Sequence, residues 1–194
     1  MSTALISYST TKYNEVFKNT LEPTLGLWSG PKNHSYWNTS VDWAAATRIK
    51  PLSILMELRK FNSVLYVDSD ATIMSTDVNN IDSVVGDAPM ACVFLDHGKW
   101  YNTDSNVVEP LTGTMYFNRD AIPFLRIWES ASRTSNKPDG DIFAELLAKD
   151  SIKALQLPIE WAYIKNRPDG KLGGIPCDSP IIMHHQASRT HRYA

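Results

Sequence analysis

Cysteine is scarce: the 194 residues hold only Cys92 and Cys177, far apart in sequence. Two distant thiols make neither a disulfide framework nor a paired thiolate metal site, and a reducing compartment is the default expectation. No apolar run approaches the roughly 18 residues needed to cross a bilayer. The start, Met1-Ser-Thr-Ala-Leu-Ile-Ser, lacks the basic and long apolar regions of a secretory leader. The expected location is therefore cytoplasmic, and Asn33-His-Ser and Asn38-Thr-Ser, which fit the glycosylation sequon, are read as coincidence. An excess of charge is missing too. With 19 basic against 21 acidic side chains the formal charge is −2, which offers nucleic acid or anionic lipid no general attraction. There is no internal repeat, low-complexity tract or long charged run.

What is present is an ordinary globular composition, 43% hydrophobic and 21% charged, in a length suited to one domain spanning 1–194. Thr3 to Ser7 reads as a strand, and Lys12 to Leu21 has apolar positions at helical spacing. The Gly/Pro/Asn-rich stretch from Gly26 to Asn38 reads as a loop. Val41 to Phe61 predicts two helical pieces meeting near Lys50, with Pro51 opening the second. Val64-Leu-Tyr-Val is a continuous apolar and β-branched run, as in a strand covered on both faces. Further strands are expected at Met90–Leu95, Thr114–Phe117, Ala154–Leu157 and Ile181–Met183, and helices at Asp120–Ser132 and Asp141–Lys149. This alternation predicts an α/β fold with a largely parallel sheet flanked by helices, its ligands at the carboxyl ends of the strands. Ser7 to Thr10 and Asp68 to Asp70 fall at such ends.

Asp68-Ser-Asp70 carries the sharpest chemical signal. Two carboxylates at the exit of a buried strand need compensation, because charges are rarely buried unpaired. Both can converge on one hard divalent cation, which takes one or two carboxylates and fills its shell with water and substrate phosphate. The bland alternative is that one caps a helix and the other is solvated. Two enzyme classes use the arrangement: nucleotide-sugar glycosyltransferases and haloacid-dehalogenase-type phosphatases. Asp68-Ser-Asp70-Ala-Thr72 fits the phosphatase nucleophile motif, with Asp68 as nucleophile, and Gly140-Asp141 loosely imitates its later metal motif. Against a phosphatase stand the strand-helix unit that precedes Asp68 and the poor placement of Lys137. The strand-end imidazoles of Ile181-Ile-Met-His184-His185 also have no use there.

Val64-Leu-Tyr-Val-Asp-Ser-Asp-Ala, Leu111-Thr-Gly-Thr-Met-Tyr-Phe-Asn-Arg-Asp with Trp128 following, and the tail His184-His-Gln-Ala-Ser-Arg189 occur in an order that resembles the GT-A glycosyltransferases. They are most similar to the galactosyl- and xylosyltransferase family of plants and fungi. The short chain without an anchor also resembles the small glycosyltransferase domains that large algal viruses encode to decorate their capsid protein, which implies a host cytoplasm.

The resemblance implies roles. Asp68, Asp70 and His184 would hold Mn²⁺ or Mg²⁺, with His185 the alternative because neighbours on a strand face opposite ways. A mixed oxygen and imidazole shell suits Mn²⁺ better. Ser7, Tyr8, Ser9, Tyr13 and Ser69 would line the nucleotide, Tyr8 or Tyr13 stacking on uracil; equally, the first of these cap the next helix. Lys50 and Arg189 would neutralise the diphosphate. Thr112, Gly113 and Thr114 would meet the donor sugar, the glycine admitting close approach. Asp139 and Asp141 would act on sugar hydroxyls or a cationic anomeric centre, although Asp139 also suits a helix cap and Gly140 stands where the family has glutamine. Trp161 and Tyr163 are stacking candidates, one of them expected in the core, and Asp96 to Glu109, with His97, Trp100 and Tyr101, would meet the acceptor. The implied reaction moves a sugar from a UDP-sugar to a glycan or glycoprotein, with retention of configuration. A non-catalytic sugar- or nucleotide-binding module is the remaining alternative.

Overall fold

The computed structural model describes residues 3–149, 153–166 and 175–186. In chain order it forms β1 (Ala4–Thr10), α1 (Asn14–Asn19), β2 (Lys32–Trp37), α2 (Trp43–Thr47), α3 (Lys50–Leu58), β3 (Ser63–Val67), β4 (Ala71–Ile73), α4 (Ile81–Val85) and β5 (Met90–Asp96). There follow α5 (His97–Tyr101), β6 (Val108–Asn118), α6 (Ile122–Thr134), α7 (Asp139–Lys149), β7 (Leu155–Leu157), β8 (Tyr163–Ile164) and β9 (Ile182–His184).

Six strands make the central sheet in the order β2-β1-β3-β6-β5-β7. Every pairing except those of β6 is parallel, so five strands run one way and β6 runs against them. β1 and β3 are buried along their whole length, as continuous apolar runs covered on both faces should be. Their alternate residues divide between two cores. Leu5, Leu65 and Val67 pack with Phe17, Leu21, Trp28 and Trp161, whereas Ile6, Tyr8, Val64 and Tyr66 pack with Ile54 of α3, Trp128 of α6 and Phe143 of α7. The first face also receives the small sheet β4-β9-β8, which delivers the carboxyl-terminal histidines to the exit of β3. Proline opens α3 and α6, where its missing N–H costs no helix bond. No helix of the described residues is long and apolar enough to cross a membrane.

Three departures from the sequence expectations matter. Residues 32–37, expected as loop, form β2, an edge strand parallel to β1; the mostly polar Lys-Asn-His-Ser-Tyr-Trp carries no alternation, and backbone pairing decides. The strand expected at 114–117 starts at Val108, and its pairing with β5 jumps from Cys92↔Met115 to Val93↔Leu111. Thr112, Gly113 and Thr114 are thereby released from β5 in a bulge, a device that re-aims side chains beside functional sites. The helix expected over Lys12–Leu21 is shorter: a 3-10 turn at Thr11–Tyr13 precedes α1.

Candidate active site

At the end of β3 the chain turns sharply, with the Ala71 amide donating to the Asp68 carbonyl at 3.1 Å. Thr20 Oγ1 pins the turn by donating to the Ser69 carbonyl at 2.7 Å. On the other side, the Asp68 amide donates to the Gly113 carbonyl at 2.8 Å. Two carboxylates thus leave a rigid strand end toward one place.

Beneath them lies a buried cation. Lys50, at the start of α3, is 2% exposed; its ammonium sits 2.7 Å from Asp139 Oδ2 and 3.2 Å from Asp68 Oδ1 and donates to the Thr112 carbonyl at 2.8 Å. It also lies 5.1 Å from the centre of the Tyr66 ring, within cation–π range. Burial pulls the Lys50 pKa down, but the charges of Asp139 and Asp68 outweigh it and leave the pKa raised, so the ammonium stays charged. The Tyr66 hydroxyl donates to Asp68 Oδ1 at 2.6 Å; burial and then the Asp68 charge hold that phenol well above its ordinary value. Asp68 itself is raised, chiefly by burial, against the opposing pull of Lys50.

Above the cation, Asp68, Asp70 and His184 form a group whose donor atoms all lie within 4.8 Å of one another. The antiparallel register Ala71↔His184 between β4 and β9 sets the imidazole beside Asp70, with His184 Nδ1 4.0 Å from Asp70 Oδ1. Its other nitrogen, Nε2, is 2.8 Å from Thr114 Oγ1. Burial pushes His184 down to about 4, so at neutral pH the ring is uncharged and offers a lone pair. His185 faces outward and bonds Thr72 Oγ1 at 2.7 Å through Nε2. Gly113 closes the group: a Cβ there would fall 2.6 Å from His184 Cε1 and 2.9 Å from Nδ1. Two carboxylates, a neutral imidazole and a backbone kept bare of side chain suit a divalent cation.

Two joined cavities open over this group. One, of about 350 Å³, runs from Asp68, Asp70 and His184 past Thr112, Asp139 and Asp141 to Glu109 and Ile164. The other, of about 130 Å³, is smaller and lined by Tyr8, Ser9, Tyr13, Lys50, Tyr66 and Ser69. Asp68, Asp70, Thr112, Asp139 and Trp43 face both.

Most of the residues singled out in the sequence therefore meet here. Three, Ser7, Thr114 and Trp161, are placed away from the expected role. Ser7 lies on the opposite side of β1 from Tyr8, at a separate 50 Å³ cavity beside Phe17 and His34. Thr114 is fully buried and bonds His184 instead of lining either cavity. Trp161 is 2% exposed and belongs to the core under Val67 and Ile182, while its neighbour Ala162 reaches the cavity. Arg189 lies outside the described residues. Asp139 opens α7 but is buried against Lys50 instead of serving only as a cap. In the loop expected to meet an acceptor, Trp100 is core, whereas Glu109, 2.7 Å from His97, reaches the larger cavity. Trp43 was missed. It starts α2 directly after the helix-capping Asp42, and that cap was the available signal for where the helix presents its first side chain.

No family model matches the chain, and no curated protein matches it. Among solved structures it is similar to a glycosyltransferase involved in the glycosylation of the major capsid of PBCV-1, with TM-score 0.68 and 16% identity over 99% of this chain and 97% of that one. Mouse xyloside xylosyltransferase 1 gives TM-score 0.62 and 8% identity over 97% and 99%. The glycosyltransferase GlyE of Streptococcus pneumoniae TIGR4 gives 0.64 and 12% over 96% of this chain, which spans 55% of that protein.

Proposed function

Because the chain has the GT-A glycosyltransferase fold, we propose that it is a metal-dependent glycosyltransferase that moves a sugar from a UDP-sugar to a glycan or glycoprotein acceptor. The observation that carries this is the convergence of Asp68, Asp70 and His184 at the junction of the two cavities. The smaller cavity, lined by Tyr8, Ser9, Tyr13 and Ser69, takes the nucleoside, with the Ser9 hydroxyl itself turned to His34 Nε2 and Asn14 Oδ1. The larger one takes the donor sugar against Thr112, Asp139 and Asp141 and leaves its Glu109 end for the acceptor.

In this scheme Asp68, Asp70 and His184 hold Mn²⁺, or Mg²⁺ in its place, the mixed donor set favouring Mn²⁺. When bound, the ion supplies positive charge against the leaving diphosphate. Lys50 adds a fixed charge below the same spot, and because it is already held by Asp139, Asp68 and Thr112 it needs no reorganisation as charge develops. Asp139 and Asp141 fix hydroxyls of the donor sugar. Retention of configuration belongs to the proposal: the departing phosphate takes the acceptor proton, so no protein base is assigned. The same proposal treats 1–194 as one catalytic domain working in the cytoplasm, or in a host cytoplasm if the chain is viral. An Asp68 phosphatase nucleophile fits less well, since Asp68 Oδ1 is held by both Tyr66 and Lys50.

The test is release of UDP from a panel of UDP-sugars with Mn²⁺ present, in wild type and Asp70→Asn. Release that needs both the metal and Asp70 supports the proposal. Phosphate release from small phosphomonoesters without UDP release would point to the phosphatase, and metal-dependent UDP binding without turnover to a binding module.

A further inference from the structure

A neutral imidazole has one N–H and one lone pair, and only the lone pair can take a cation. Thr114 is fully buried and lines neither cavity, so its hydroxyl cannot turn to water for a partner, whereas His184 reaches the larger cavity. The geometry divides the ring's two nitrogens: Nε2 meets Thr114 Oγ1 at 2.8 Å, and Nδ1 faces the acidic pair, 4.0 Å from Asp70 Oδ1. That distance is too long for a hydrogen bond, so Asp70 does not hold a proton on Nδ1. Thr114 stands on a stiff support, paired with Val67 of β3, while the bulge frees it from β5. Gly113 limits the ring from another side, since even one added carbon would lie 2.6 Å from Cε1.

We propose that Thr114 is a positioning residue, whose hydroxyl oxygen accepts the Nε2 proton and so keeps the Nδ1 lone pair of His184 turned toward Asp68 and Asp70. The inference rests on the metal-binding role given to those three residues. It moves Thr114 from the donor sugar, where its motif placed it, to the support of the metal ligand. With the proton on Nδ1 instead, the ring would offer a cation no lone pair on the side of the carboxylates. Partners that hold the far nitrogen of a metal-bound histidine are worth about 10–100-fold in metal affinity.

The test is calorimetric titration of the full chain with Mn²⁺ alone, so that catalysis does not enter. Thr114→Val keeps the shape and removes the acceptor; Mn²⁺ affinity is expected to fall about 10–100-fold, while Thr114→Ser retains it. Mg²⁺, which relies on oxygen ligands, should lose less, a difference that general damage to the fold would not produce. In a His184→Ala background, Thr114→Val should cost nothing further, because coupled residues are not additive. Should Thr114→Val not fold, as judged by circular dichroism, Thr114→Ala and Thr114→Ser carry the same contrast. Wild-type Mn²⁺ affinity in Thr114→Val, or an equal loss in the His184→Ala background, would overturn the positioning role alone. Wild type that binds no Mn²⁺ would overturn the metal role itself and this inference with it.

Discussion

Lys50→Met removes the cation on which the acidic floor of the site depends, while nearly preserving side-chain volume. Lys50 is fully enclosed, and its closest charged partner, Asp139, has a side chain only 5% exposed. Asp68 is 34% exposed and can recover part of its hydration, so most of the penalty falls on Asp139. Stranding one partner of a buried pair costs about 3–5 kcal/mol, and that is the loss of unfolding free energy expected near neutral pH. The pH dependence follows from linkage. In wild type the Lys50 pKa is raised above its unfolded value; its contribution is fully present below that unfolded value and is lost only as pH rises through the folded one. In the variant, Asp68 lacks the Lys50 charge that opposes the upward effect of its burial. A carboxyl with a raised folded pKa binds more protons folded than unfolded, so the variant regains stability as pH falls. Urea unfolding of both proteins at about pH 7.5 and about pH 5 should therefore show a deficit that narrows at the lower value. A deficit below about 1 kcal/mol, the worth of a surface pair, or one unchanged by pH, would refute the reasoning.

Other expectations are as direct. Gly113→Ala places a carbon 2.6 Å from the His184 ring and should weaken Mn²⁺ binding at least about tenfold, the lower bound for a disturbed ligand, as read by calorimetry. Asp70→Asn should abolish metal-dependent UDP release with an unchanged circular dichroism spectrum, because the side chain lines the two cavities and is not packed in either hydrophobic core. His34 is stacked on Phe17 with ring centres 3.5 Å apart and pushed by burial down to about 4. Between its unfolded value and about 4, the unfolded chain takes a proton that the folded chain does not, so acid destabilises the fold through this group. His34→Gln should flatten that part of the stability profile, measured by urea unfolding across the same range.

Much of the site was legible because charge at the end of an apolar run is costly. Asp68 and Asp70 follow five fully buried residues of β3, and only a cation or a partner justifies that. His184 was reached through family resemblance together with strand alternation, and the β4–β9 register turns one histidine in and the next out. The same period-two rule could have separated Ser7 from Tyr8, since adjacent residues of β1 serve opposite faces. The role of Thr114 was hidden, because it arises from a jump in pairing between β5 and β6 that no local pattern encodes. β2 escaped because its six residues are mostly polar and are held by the backbone of β1. An aromatic near a strand end serves a core or a sugar equally well by composition, and only packing sends Trp161 inward and Trp43 to the cavities.

The most direct measurement of the central claim is the melting temperature with UDP, with Mn²⁺ and with both. A ligand that binds only the folded state raises stability by mass action. A rise with UDP that requires Mn²⁺, and that Asp70→Asn abolishes, is the predicted result. An equal rise with UDP in the absence of any divalent ion, or none with both present, would contradict it.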